Sequence, residues 1–184
     1  PVNPDAQSGV RASIEGLPPG AAVRRERVRW LINGTEFQGE RERLQGGLAR
    51  RGDRVQASAD LTVNGEKVTL TSMEVPIRNS LPEILTAELS DTAPKAGQEL
   101  RVLATGRDAD GDPVSFRYRW YLNDTEMKGE SANALSMQKV PKGTWVHAEV
   151  QAFDGIDLGS KRFTSNVRVI NSPPMVEQVS IMRG

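Results

Sequence analysis

Phe116, Tyr118, Trp120 and Leu122 alternate with Arg117, Arg119, Tyr121 and Asn123, the two-residue period of a strand that buries one face. Val146, Ala148, Val150 and Ala152 alternate with His147, Glu149 and Gln151 in the same way. Both patterns have earlier counterparts, in Val28, Trp30 and Ile32 and in Val55, Ala57, Ala59 and Leu61. Val75 and Ile77 correspond to Val167 and Val169 as a closing strand. No stretch shows a 3.6-residue apolar stripe bounded by caps, so no helix is expected. Asn33-Gly34 is a strong hairpin dipeptide, and Asn123-Asp124 stands at the same corner of the later pattern.

These echoes form one tandem duplication. Trp30-Leu31-Ile32-Asn33-Gly34-Thr35-Glu36 aligns with Trp120-Tyr121-Leu122-Asn123-Asp124-Thr125-Glu126, about 90 positions later. Gly52 through Ala57 answers Gly143 through Ala148, Asn64-Gly65 answers Asp154-Gly155, and Ala12, Ile14 and Gly16 answer Val102, Ala104 and Gly106. Many short strands with frequent turn signals in a module of this size predict an all-β fold, two antiparallel β-sandwiches in tandem. The predicted boundaries are 1–80, 81–174 and a remainder at 175–184. Trp30 and Trp120, each mid-strand, are the expected core anchors. Trp145 opens a strand out of phase with Val146 and is expected at the surface; His147 has the outward phase too and reads as a surface side chain.

Asn79-Ser80-Leu81-Pro82 separates the repeats, and Asn171-Ser172-Pro173-Pro174 follows the second; proline stiffens both junctions. Met175-Val176-Glu177-Gln178-Val179-Ser180-Ile181 mirrors Glu83-Ile84-Leu85-Thr86-Ala87-Glu88-Leu89, whereas the first repeat shows no equivalent of that strand. Two readings follow, of which the first is the plainer. The segment opens a third module of a longer array, or it completes a first repeat in trans by strand addition to an open edge.

Composition narrows the chemistry. Lys+Arg and Asp+Glu are both 24, a net charge of zero, without the basic excess of a nucleic-acid binder. The apolar runs are too short to span a bilayer. Cysteine is absent and His147 is the single histidine, which removes thiolate chemistry and leaves little for histidine triads or multi-histidine metal sites. The chain therefore reads as non-catalytic. Asn33-Gly34-Thr35 and Asn123-Asp124-Thr125 fit the glycosylation pattern, but the hairpin corner selects asparagine for backbone reasons. Arg24, Arg25, Arg27 and Arg29, interleaved with Glu26, read as a solvated sheet face rather than an anion site.

The densest polar stretch is Gly106-Arg107-Asp108-Ala109-Asp110-Gly111-Asp112-Pro113. Three carboxylates around a glycine suit a hard cation such as calcium, which takes six to eight oxygens, or simply a solvated turn. An EF-hand is excluded because its later glutamate is missing.

Asp108-Ala109-Asp110-Gly111-Asp112-Pro113-Val114 with Tyr118-Arg119-Trp120-Tyr121-Leu122-Asn123, through Phe153-Asp154-Gly155 and Asn171-Ser172-Pro173-Pro174, resembles the immunoglobulin-like, PKD-like and cadherin-like sandwich modules of bacterial surface and secreted proteins. The resemblance covers the second repeat almost end to end and the first more loosely. It implies an immunoglobulin-like architecture and a calcium ion near the module entrance, held by Asn79, Asp108, Asp110 and Asp154, with Asp112 as a further ligand. The first repeat has Leu17-Pro18-Pro19-Gly20 where those aspartates would be, so calcium is expected in the second module only. The resemblance also implies an extracytoplasmic location, periplasm or cell surface. Structural, adhesive or protein-interaction modules of an exported protein are the leading expectation. The alternative is a carbohydrate-binding or other ligand-binding accessory of a secreted enzyme, which needs exposed aromatics. The partner is then a protein or a glycan, with self-association through an open sheet edge as a further possibility.

Overall fold

The computed structural model describes residues 4–17, 19–37 and 42–171. The predicted further strand within 175–184 lies outside the described residues, as do Pro18 and Ser172-Pro173-Pro174. The fold is all-β, and among the described residues every sheet pairs antiparallel, with two isolated parallel bridges and one 3-10 turn at Met137–Lys139. Contacts divide the chain into two compact units. One holds Pro1–Pro82 with Asp108–Pro113 and Gly155–Asp157; the other holds Glu83–Arg107, Val114–Asp154 and Leu158–Gly184.

In the first unit the strands are β1 (Val10–Arg11), β2 (Val23–Ile32), β3 (Thr35–Phe37), β4 (Arg43–Leu44), β5 (Arg54–Val63), β6 (Glu66–Thr71) and β7 (Val75–Pro76). The large sheet runs β3-β2-β5-β6, with β7 also on β5, while β1 and β4 form a two-stranded sheet. Trp30 pairs across to Ala57 and is buried with Leu44, Val55 and Ile77 in one cluster. Val28, Ala59 and Leu61 form a second, separate cluster.

In the second unit the strands are β8 (Glu83–Leu89), β9 (Glu99–Arg107), β10 (Ser115–Leu122), β11 (Thr125–Glu126), β12 (Ala134–Ser136), β13 (Trp145–Phe153), β14 (Leu158–Phe163) and β15 (Val167–Arg168). The order β11-β10-β13-β14, with β15 on β13, repeats the large sheet of the first unit, and β12-β9-β8 forms the opposing one. Alternation drives the inward side chains of both sheets into one continuous core. Ile84, Ala87, Leu100, Val102 and Leu135 meet Trp120, Val146, Ala148 and Val150 there. Trp120 is fully buried, and its indole Nε1–H donates to Ala132 O at 2.9 Å, so the ring fills the core without leaving a buried donor unpaired.

The duplicated asparagines show why the corner repeats. Asn33 and Asn123 both take positive φ, 52° and 44°. Asn33 Oδ1 accepts from Arg54 N at 2.9 Å, and Asn123 Oδ1 accepts from Trp145 N at 2.9 Å. In each unit the hairpin residue thus fastens the start of the long strand beside it. That backbone duty accounts for asparagine without any modification.

Candidate functional site

Two constellations carry chemistry. The first is the aspartate loop, whose residues 108–113 pack with the first unit. Asp108 organises it: Oδ1 accepts from Asp110 N at 2.7 Å and from Asp112 N at 3.4 Å, while Gly111 takes φ 84° in the turn. Asp108, Asp110 and Asp112 each bring a carboxylate oxygen within 4.8 Å of the others. Like charges this close need compensation. Arg51, in the turn before β5, supplies it. Its Nη1 donates to Asp112 Oδ2 at 2.6 Å and its Nη2 to Asp112 Oδ1 at 3.2 Å, a two-pronged guanidinium–carboxylate pair. Nη1 also donates to Asn79 Oδ1 at 2.8 Å. Asp110 accepts from Arg51 N at 2.9 Å and from Ser80 N at 2.7 Å, one donor on each oxygen.

The structure therefore brings Asn79, Asp108, Asp110 and Asp112 together. Asp154, the fifth expected ligand, belongs to the second unit, where it is 6% exposed just beyond β13. A calcium ion of the kind implied by the resemblance would share these oxygens with the N–H donors already on them. Both oxygens of Asp110 and both of Asp112 are engaged by N–H donors, and Asn79 Oδ1 is held by the guanidinium. Asp108 Oδ2 is buried without a hydrogen-bond partner, and one oxygen from each of the three carboxylates lies close enough to the others to share a cation. Sequence reasoning missed Arg51. Nothing in its neighbourhood points to a loop some 60 residues away, and the Arg50-Arg51 pair alone looks like ordinary surface charge.

The arginines of β2 are held by carboxylates. Arg24 reaches Glu26 at 2.8 Å, Arg29 reaches Asp60 at 2.9 Å, Arg27 reaches Glu36 at 3.4 Å, and Arg25 pairs with Glu42. Arg24 and a hydrogen bond from Thr62 hold the Glu26 carboxyl below its ordinary range. This is a solvated ladder of pairs, each of modest energetic weight at the surface.

The second constellation is the outer face of the large sheet in the second unit. The phase that buries Val146, Ala148 and Val150 turns Trp145, His147, Glu149 and Gln151 outward, beside Tyr121 of β10 and Phe163 of β14. Tyr121 and His147 stack at 4.9 Å with their planes 4° apart, and Phe163 stands edge-on to both at 6.1 and 5.8 Å. Phe163 is 56% exposed and Trp145 46% exposed. Asn123, Asp124 and Asn166 surround Trp145 in a shallow depression. Lower on the same face, Glu149 is bracketed by Lys161 at 3.0 Å and Arg119 at 3.6 Å, and the Arg117 guanidinium lies 4.7 Å over the Phe153 ring. The alternating pattern had exposed Trp145, but the cluster around it depends on register: Tyr121 pairs with His147, and Glu149 pairs with Phe163.

No family model matches the chain, and no curated protein matches it. Among solved structures, one similar chain is a Bacteroides ovatus protein described as the mixed-linkage glucan utilization locus SGBP-B in complex with a mixed-linkage heptasaccharide. Identity is 10% and the TM-score 0.26, over 90% of this chain and 41% of that one. A match this loose assigns neither a shared fold nor a ligand. Among the described residues no helix is long and apolar enough to cross a membrane.

Proposed function

We propose that the chain is a non-catalytic contact module of an exported protein, and that it works through the outer sheet face of its second unit. The supporting observation is the packed trio Tyr121, His147 and Phe163, with Trp145 on the same face. A solvated sheet face ordinarily carries polar side chains, and a grouped aromatic patch ringed by charge is the composition of a contact surface. A protein partner suits the mixture of rings with Arg117, Arg119, Glu149 and Lys161, since aromatics and arginine dominate such contacts. A glycan is the second reading, favoured by one feature: Trp145 offers an indole face rimmed by the amide and carboxylate groups of Asn123, Asp124 and Asn166. In the same proposal Arg51, rather than calcium, neutralises the aspartate loop.

Adhesion of beads coated with the chain to immobilised extracellular proteins and to polysaccharide films tests the proposal. Trp145→Ala combined with Phe163→Ser should abolish adhesion while leaving the circular dichroism spectrum unchanged. Loss on protein surfaces supports the first reading, and loss confined to polysaccharide supports the second. Adhesion equal to that of the unsubstituted chain on every surface would remove the face from consideration.

A further inference from the structure

Each unit carries a pair of arginines at the same place on the outer face of its large sheet, and the register shows what each pair faces. On β2, Arg27 lies opposite Asp60 and Arg29 opposite Ser58; beyond β5, Asp60 meets Thr69. On β10, Arg117 lies opposite Gln151 and Arg119 opposite Glu149; beyond β13, Gln151 meets Lys161 and Glu149 meets Phe163. Where the first unit has Asp60 and Thr69, the second thus has Gln151 and Lys161. The exchange changes what holds the arginines. In the first unit Arg29 Nη2 and Thr69 Oγ1 both donate to Asp60 Oδ1, at 2.9 and 2.8 Å, and Arg27 Nη2 donates to Glu36 Oε1 at 3.4 Å. In the second, Glu149 is sunk into the sheet with its side chain 10% exposed, and Lys161 Nζ sits 3.0 Å from it. Arg119 Nη1 stands 3.6 Å from the same oxygen, beyond hydrogen-bonding distance, and its side chain is 53% exposed. Arg117 lies over the Phe153 ring, a contact made by the plane of the cation and none of its N–H groups. Among the described residues, neither guanidinium of this pair donates to a protein acceptor.

We propose that Arg117 and Arg119 receive the carboxylates of an acidic polypeptide segment, with Phe163 packed against an apolar side chain of the same segment. The inference rests on the outer face being the contact surface, and it names the chemistry of what that surface contacts. Three cations, Arg117, Arg119 and Lys161, stand around one carboxylate, so this part of the face holds a positive excess in a chain of zero net charge. A guanidinium presents its N–H groups as a planar fork that matches a carboxylate, and the ring beneath Arg117 steadies that fork. Arg117 and Arg119 are two residues apart on β10, a spacing of about 7 Å along the strand. An extended polypeptide repeats its side chains at the same interval, so residues two apart along it meet both arginines. That match favours a polypeptide over other polyanions. A nucleic acid is disfavoured further, because a chain without net charge lacks the long-range field that draws one in.

Binding of the full chain to immobilised poly(Glu,Tyr), a random polypeptide of glutamate and tyrosine, tests this beside polygalacturonate, an acidic polysaccharide. The chain should bind the polypeptide in preference, and the affinity should fall several-fold as salt rises from roughly 0.05 to 0.3 M. Arg117→Gln with Arg119→Gln should weaken binding by about tenfold or more. Arg27→Gln with Arg29→Gln, the same positions in the first unit, should change it by less than about twofold. Gln151→Asp gives the second unit the carboxylate that engages the arginines of the first, and should also weaken binding several-fold. Each variant should keep the parent circular dichroism spectrum; if the Arg117/Arg119 variant does not, Gln151→Asp decides, and parent affinity in it overturns the proposal. Parent affinity in a folded Arg117/Arg119 variant overturns it as well. If Trp145→Ala with Phe163→Ser then still abolishes that binding, the face survives as a contact surface without the anionic partner; if it changes nothing, both readings fall. No binding to the polypeptide, preference for polygalacturonate, or an equal loss in the first-unit variant each overturns the proposal.

Discussion

The two units build the same large sheet with the same strand order, yet only one closes a continuous core. In the second, β8 lies beside β9 in the same sheet and brings Ile84 and Ala87 into one cluster with the inward residues of β9, β10 and β13. In the first, Trp30 with its neighbours and Val28, Ala59 and Leu61 remain two clusters. The outer strands do not register the difference: β6 is exposed throughout, and its counterpart β14 is nearly so, with Leu158 at 42% and Phe163 at 56%. A duplicated pattern therefore fixes which side chains face inward. Whether they meet depends on one additional strand.

The strongest way to break this comparison is to remove the two tryptophans in turn. Trp120→Ala empties a closed core and strands the Ala132 carbonyl, and should cost about 3–5 kcal/mol. Trp30→Ala vacates a site on the wall of an open cleft that water can refill, and should cost roughly 1–2 kcal/mol less. Urea denaturation followed by amide exchange resolved to each unit measures both. Equal losses would mean that the first core is as closed as the second.

The aspartate loop sharpens the comparison with a smaller effect. Arg51 is 37% exposed at its side chain and Asp112 21%, so Arg51→Ala should cost only about 1 kcal/mol in dilute buffer. The loss should change with the medium. With the guanidinium removed, three carboxylates within 4.8 Å lack their counter-ion, and millimolar calcium should raise the melting temperature of the variant. The unsubstituted chain should not respond. A calcium-dependent rise in the unsubstituted chain, lost in Asp110→Ala, would restore calcium to the loop and displace Arg51 from its role.

How much of this was legible follows from the range of the forces. The period of two placed Trp30 and Trp120 inside and Trp145 outside, because alternation is local to a strand. The hairpin asparagines were legible for the same reason. Arg51 was hidden: it meets Asp112 across a sequence separation of 61, and neither residue's neighbours encode that approach. The aromatic trio lay between these cases. Tyr121 and His147 were both assigned outward phases, but the stack needs the register that sets them opposite each other. The aspartates read as ligands because their spacing suits a cation, and spacing alone does not show that the Arg51 guanidinium also reaches Asp112.

The mildest predicted effect lies at the hairpin corner, where the units share an asparagine and differ in what holds it. In the first unit Asp53 accepts from Arg50 N at 2.7 Å and from Asn33 Nδ2 at 2.8 Å, so Asn33 is gripped on its amide side as well as its oxygen side. In the second unit Thr144 occupies the aligned position, so that corner has no carboxylate there to titrate. The hydrogen bond from the Arg50 backbone, then that from Asn33, lowers the pKa of Asp53 below the ordinary aspartate value. A lowered folded pKa means that the stabilisation is fully present above the unfolded value near 3.8 and is lost as pH falls through the folded one. Asp53→Asn removes this linkage while keeping one acceptor oxygen. The first-unit amides of the parent should therefore be better protected than those of Asp53→Asn at pH 6, and the gap should start to narrow near the unfolded pKa and close only below the lower folded one. Second-unit amides should show no such gap at either pH. A gap that stays constant down to pH 2 would mean that the carboxyl's hydrogen bonds do not depend on its charge, and that the corners differ in packing alone.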